Sequence, residues 1–267
     1  MAKGNDGNYL QHSIEVTAGL HVAAMRAGGR LHVASAHGMA PFEVCDLPPP
    51  GQARRLLLEA LSASKQTPRP GEPSIVTAYR ATNASLEHYP NSVELLRSLI
   101  GDDKLSGTII EIDSAKYSQL EISWAGSQVK PLCSSWRAEA PIGRRLAAPE
   151  HLDAPWLFTM DPMTYREEGY SDDSHIYRAD LSRIAEAISS FVKSGQPGAA
   201  AIFVFNIKPE DRQDYWSFID ALGERTVTQV GSYWVTHQGG NRNLAGVLWS
   251  VPTLPSSWPP AGVNSGR

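Results

Sequence analysis

The stretch GTIIEIDSAKYSQLEISWAGSQVKPLC, Gly107 to Cys133, decides the fold. GTIIEID reads as a strand, SAKYSQLEISW as a helix and SQVKPLC as a second strand. Toward the C-terminus the alternation continues with strand PWLFTMD, helix YRADLSRIAEAISSFVKSG, strand AAAIFVFNI and helix EDRQDYWSFIDALGE. Strands separated by helices pair in parallel, because the helix carries the chain back to the starting edge, and such a sheet is covered on both faces. The rhythm then changes. RTVTQVGSYWVTHQ and NLAGVLWSVP flank GGNR, the pattern of an antiparallel hairpin.

Toward the N-terminus, Leu10, Ile14, Ala18, Val22 and Met25 recur at helical spacing and the helix runs into Gly28-Gly29. A strand from Leu31 to Ser35 follows, entering a loop at His37-Gly38. Residues 41–105 are polar and proline-rich, with helices expected in QARRLLLEALSAS and SVELLRSLI and surface loops at Pro48-Pro49-Pro50 and KQTPRPGEPS. They read as an insertion within one domain, residues 1–252, leaving 253–267 as a loosely held tail. There is no internal repeat.

Composition narrows the function classes. The 267 residues are 42% hydrophobic and 19% charged, enough to bury one sizeable core. No apolar run approaches the roughly 18 to 20 residues that span a bilayer, and MAKGNDGNYLQH lacks the apolar centre of a secretory signal, so a cytoplasmic protein is expected. Cys45 and Cys133 are too few for a disulfide framework or a cysteine-rich zinc site, and His32 and His37 lack a third ligand in register, so no metal is expected. With 24 Lys plus Arg against 28 Asp plus Glu, nothing pulls the whole chain toward phosphate, and a nucleic-acid site has to be local. Arg54, Arg55, Lys208 and Arg242 are the candidates for phosphate contacts.

Ligands of open α/β sheets bind outside the carboxyl ends of the strands. The segments to inspect are therefore Ser35 to Ala40, Glu111 to Ser114, Cys133 to Ser135, Asp161 to Tyr165 and Asn206 to Lys208. Each also has a bland reading. Asp161-Pro162 can be a strand-ending turn, Gly38 part of an ordinary β-to-α turn, Glu111 or Asp113 a helix N-terminal acid, and Cys133 a core residue. Asn8, His12 and Glu15 lie off the apolar stripe of the first helix and face either solvent or a pocket.

Five parallel strands followed by a hairpin is the Rossmann-like layout of class I methyltransferases: a mostly parallel seven-stranded sheet, here with a helical insertion after the first strand. Several stretches resemble the bacterial RlmJ-like family that methylates N6 of an adenine in 23S ribosomal RNA. GNDGNYLQH resembles its opening motif, with Gly4, Asn5 and His12 matching, Asn8 in its acidic position and Gln11 in its lysine position. HYPNS resembles its Tyr-Pro-Gly-Ser. EIDSAKY places Glu111 on its acid and Tyr117 on its tyrosine, GVLWSVP resembles its closing strand, and MDPM falls on its Asp-Pro-Pro-Tyr motif.

The resemblance implies S-adenosyl-L-methionine as cofactor and a nucleic acid, RNA or DNA, as substrate. Glu111 would accept from the ribose hydroxyls, Cys133 and Ser134 would border the adenine, and Ser35, Gly38 and His12 would complete the cofactor pocket. Asp161, with the Pro162 carbonyl, would accept the N6 hydrogens and aim the nitrogen lone pair at the methyl group. Tyr165 would stack on the base, because Thr164 stands where the family has its aromatic. The chain departs from the pattern at Ala34, which replaces an acid, at Ala40, which replaces a glycine, and at Met163. Asp6, His12 or Glu43 are candidates to supply the missing acid. These departures keep one rival open, a methyltransferase-shaped binding module without transfer activity, and the slightly acidic balance suits a second, a methyltransferase for another substrate.

Overall fold

The computed structural model describes residues 6–25, 28–45, 52–137, 155–160, 164–166, 175–177, 180, 199–207, 229–236, 242–249, 256 and 258–265. At its centre β1 (Leu31–Ser35) lies between β4 (Leu105–Glu111) and β6 (Trp156–Met160), parallel to both. All five residues of β1 and all five of β6 are buried, which is why LHVAS and WLFTM read as near-continuous apolar runs. β5 (Gln128–Cys133) extends the parallel sheet beyond β4, and β9 (Ala199–Ile207) extends it beyond β6. β10 (Gln229–Thr236) and β11 (Arg242–Trp249) form the expected hairpin, with β11 antiparallel to β9. The α/β fold and its parallel centre are those expected from the sequence.

The sheet also differs from expectation. Among the described residues its main path is β12-β10-β11-β9-β6-β1-β4-β5, eight strands against the seven expected, because β12 (Asn264–Ser265) pairs with β10. Residues 258–265, expected to hang loosely, are docked: Val263 is 6% exposed, Trp258 meets Tyr233 edge-on, and the Tyr9 hydroxyl donates to the Ala261 carbonyl. β7 (Thr164–Arg166) joins the end of β9, and β8 (His175–Tyr177) pairs with β7, in the stretch between strand PWLFTMD and the helix expected from Tyr177. Apart from Tyr177 and Asp180, the helices expected over 177–195 and 210–224 lie outside the described residues.

The helices of the insertion form a layer over α1 (Asp6–Ala24): α2 (Gln52–Ala63), α3 (Ser74–Ala81) and α4 (Ser92–Ile100) pack on it from one side, and β6, β9, β10 and β11 from the other. A helix enclosed in this way is buried all round, so Asn8, His12 and Glu15 do not face solvent. Gly19 permits the close approach of α4, since a Cβ there would lie 2.5 Å from Leu96 Cδ2. α3 escapes the sequence reading because Ile75, Val76 and Thr77 are β-branched and poor helix formers; burial of Ile75, Val76, Ala78 and Tyr79 supplies what propensity does not. α5 (Ser114–Ser123) follows β4.

Parallel pairing brings the carboxyl ends of β1, β4, β5, β6 and β9 to one edge, with Ser35 opposite Ile109 and Thr159, and Glu111 opposite Cys133. Gly107 sets the approach of β4 to β1: it has φ 136°, and a Cβ would lie 1.9 Å from the Val33 carbonyl oxygen. Gly107→Ala is expected to destabilise the protein by about 3 kcal/mol or more, read as a fall in the urea midpoint; an unchanged midpoint would contradict this packing.

Candidate functional site

The turn after β1 is held from three sides. The Ala36 amide donates to the Thr159 carbonyl at 2.9 Å and the Gly38 amide to the Ile110 carbonyl at 2.6 Å, tying the turn to β6 and β4. Gly38 lies so close to β4 that a Cβ would meet Ile109 Cγ2 at 2.7 Å and the Ile110 oxygen at 2.9 Å. Its smallness therefore serves the strand contact. Met39 then turns through the left-handed region at φ 73°, a conformation that needs outside support in a residue with a side chain. Its amide donates to Glu111 Oε2 at 2.9 Å. On the far side Asn91 Nδ2 donates to the Ala40 carbonyl at 3.3 Å, the Asn91 amide donates to the Pro41 carbonyl at 3.0 Å, and Asn91 Oδ1 caps α4 through the Glu94 amide. The asparagine of HYPNS thus joins the insertion to the turn, a role that appears only when the turn's free carbonyls are placed beside it.

Glu111 and Asp113 make different contacts at the start of α5. Asp113 is the N-cap of α5, accepting from the Ala115 and Lys116 amides. Glu111 instead accepts from Met39 on one oxygen and from the Asp113 amide, at 2.8 Å, on the other. Burial raises its pKa above the usual carboxylate range, against the lowering effect of the backbone donors and of Lys116. Each carboxylate oxygen has a second lone pair, so both still have capacity for a hydroxyl.

Beside Glu111 on the same edge, Cys133 is exposed rather than packed in the core, and the Ser134 amide donates to the Glu111 carbonyl at 3.2 Å. Glu43 of β2 (Phe42–Glu43) is buried with its carboxylate 3.9 Å from Lys116 Nζ. Glu43 is thereby a candidate for the missing acid at this edge, and the side chain of Asp6 lies outside the described residues. Ser35, Gly38, Glu111, Cys133 and Ser134 therefore converge. Ala34 and Ala40 are both buried.

His12 is enclosed between two tyrosines, one of which lies opposite Glu43. It is 1% exposed, its Nδ1 lies 3.2 Å from the Tyr79 hydroxyl and 3.1 Å from that of Tyr89, and its ring stacks on Tyr89. Tyr89 belongs to β3 (Tyr89–Pro90), which pairs with β2. Burial pushes the His12 pKa down to about 3. Asp161 and Pro162 lie outside the described residues, and Tyr165 is placed as the middle of β7 by its backbone. Of the candidate phosphate contacts, Arg54 is 2% exposed and so turned away from solvent, Arg55 is exposed and paired with Glu59, Arg242 opens β11, and Lys208 lies outside the described residues.

Sequence reasoning missed Arg137. Its guanidinium makes a two-pronged pair with Asp180 beyond the end of β5, in surroundings of Trp136, His175 and Tyr177. The only signal in the sequence was the run of Trp136-Arg137 at a strand exit, which by itself points nowhere.

No family model matches the chain, and no curated protein does. A solved structure is similar: protein LPL1258 from Legionella pneumophila str. Philadelphia 1, assigned to the family model DUF519. It matches with a TM-score of 0.65 and 13% identity over 96% of this chain and 88% of its own, a likeness of fold. Protein PH0851 matches 61% of this chain and 40% of its own at 12% identity, with a TM-score of 0.30 too low to bear on the fold.

The enclosed layer that carries His12 also holds Glu15, 0% exposed, accepting from Gln11 Nε2 at 3.1 Å. Burial pushes its pKa up to about 7. The folded state then keeps a proton that the unfolded chain sheds from about pH 4.5, so stability falls as pH rises from about 4.5 to about 7. Glu15→Gln removes that loss. The variant is expected to exceed the parent by about 3 kcal/mol in urea unfolding at pH 8 and to show no such gain at pH 4. The same difference at both pH values would contradict a buried ionisable Glu15.

Proposed function

We propose that the chain is an S-adenosylmethionine-dependent methyltransferase acting on the N6 amine of adenine in RNA or DNA. The observation that carries the proposal is the Glu111 carboxylate at the end of β4, joined to the Gly38-Met39 turn after β1 on a sheet of this order. The likeness of fold to LPL1258 agrees with this reading at the level of the fold, and the stretches that resemble the RlmJ-like family supply the rest of its support.

The residues at the edge fit the cofactor's parts. Glu111 retains acceptor capacity for ribose hydroxyls, Cys133 and Ser134 border the space for the adenine, and Ser35 and Gly38 line the turn. Glu43 offers the acid that Ala34 does not, for an ammonium group. When bound, adenosylmethionine supplies an electrophilic methyl group on its sulfonium sulfur. Asp161 and the Pro162 carbonyl accept the two N6 hydrogens of the substrate base, so that the nitrogen lone pair is freed from the ring and oriented. Asp161 then provides an exit for the proton that the methylated nitrogen loses. Tyr165 stacks on the base taken out of its helix or loop.

One observation favours the rival reading of a binding module: both Glu111 oxygens already serve backbone amides, so the carboxylate has a structural role without any ligand. Calorimetric titration of the purified protein with S-adenosylmethionine and S-adenosylhomocysteine separates the two. Micromolar binding of both is expected, weakened about tenfold in Glu111→Ala by loss of hydrogen bonds to a charged group. No heat from a folded sample favours the binding module. With binding established, an unmodified 23S ribosomal RNA transcript and a DNA duplex are assayed for N6-methyladenine by mass spectrometry of the digested product. Asp161→Asn should lower transfer about a hundredfold or more while leaving cofactor affinity intact, and undiminished transfer in that variant would remove Asp161 from the mechanism.

A further inference from the structure

Arg137 joins three parts of the chain that the strand pairing does not bring together. Its Nε donates to Asp180 Oδ1 at 3.0 Å and its Nη2 to Asp180 Oδ2 at 2.8 Å. Nη2 also donates to the His175 carbonyl at 2.6 Å. Asp180, 1% exposed, accepts the Tyr177 amide on Oδ2 at 2.9 Å, so one carboxylate is satisfied by the guanidinium fork and by β8 at once. Two rings enclose the cation: its central carbon lies 4.4 Å from the Trp136 centroid and 5.2 Å from that of Tyr177. The Trp136 ring in turn lies 5.9 Å from that of His37 in the turn after β1.

β8 has need of such an anchor. It is three residues long and pairs with β7, also three residues long, which meets the main sheet through Thr164 opposite Asn206. Ladders this short do not hold themselves in place. β7 begins three residues after Asp161 and contains Tyr165, so whatever fixes β8 also bears on the strand that follows the Asp-Pro step.

We propose that Arg137 is a positioning residue that couples the cofactor edge, through Trp136 and the exit of β5, to the β7–β8 pair on the substrate side. The inference rests on the methyltransferase reading above and adds a function to it: occupancy of the cofactor edge orders the strands that receive the base. A guanidinium is suited to this because its planar fork binds carboxylate and carbonyl together while its face stacks on aromatic rings; a lysine ammonium retains the charge but cannot do both.

The test is hydrogen–deuterium exchange of the full chain, with and without S-adenosylhomocysteine, in the parent, Arg137→Lys and Asp180→Asn. In the parent, S-adenosylhomocysteine is expected to slow exchange in His175–Tyr177. In Arg137→Lys, exchange there rises about tenfold while β1 and β4 keep their protection, and it no longer responds to S-adenosylhomocysteine, whose affinity is retained. The KM for the RNA transcript rises more than kcat falls. If Arg137→Lys does not fold, Asp180→Asn carries the same readings, since it keeps the side-chain shape and loses the charge. Unchanged exchange in β8 in a folded variant overturns the proposal. Binding of S-adenosylhomocysteine to the parent without any response in β8 overturns the coupling alone, and no binding to the parent overturns it together with the cofactor reading.

Discussion

One carboxylate organises the carboxyl edge of the sheet. Glu111 accepts the amide of Met39 from the turn after β1 and the amide of Asp113 at the entry to α5. Two loops that belong to neighbouring strands are thereby set against each other by one side chain. Hydrogen bonds from backbone N–H groups to a carboxylate are among the stronger ones available, and here they satisfy donors that neither a strand ladder nor a helix could serve. The left-handed conformation of Met39 depends on the same contact. Asn91 closes the arrangement from the insertion side, so the turn between Gly38 and Pro41 is fixed by groups from β4 and from the start of α4.

Behind that edge the insertion encloses α1 and turns its polar residues into an interior layer. His12 with Tyr79 and Tyr89, and Gln11 with Glu15, replace water by one another. Burial acts on the two ionisable groups in opposite senses, because it disfavours whichever form is charged: His12 is held neutral far into acid and Glu15 is kept protonated toward neutral pH. A helix that looks amphipathic in one dimension is thus a fully buried strut, with the sheet on one side and three helices on the other.

Much of the fold was legible because it rests on periodicity. LHVAS and WLFTM are mostly apolar and buried along their whole length, as parallel strands covered on both faces must be, AAAIFVFNI is a similar run, and SAKYSQLEIS between GTIIE and QVKPLC leaves few alternatives to a crossover. What periodicity cannot express was missed. α3 contains the β-branched residues Ile75 and Val76 and becomes helical by packing, and the tail after 253 lacks an amphipathic pattern yet places Val263 in the core and adds β12 to the sheet edge. β7 and β8 are too short to announce themselves.

The amino-acid sequence by itself determined the order of the strands along the chain, the crossover helix α5, the closing hairpin, and which segments end at the candidate edge, since each of these follows from local pattern and from the connectivity of parallel sheets. Only the tertiary structure showed that Asp113 and not Glu111 caps α5, found Glu43 beside Lys116, withdrew Arg54 and His12 from solvent, and joined Arg137 to Asp180. Those outcomes depend on which unpaired amide, carbonyl or charge comes within 3 Å or so of a side chain from a distant part of the chain, and a hydrogen bond of that reach leaves no trace in the spacing of residues along it.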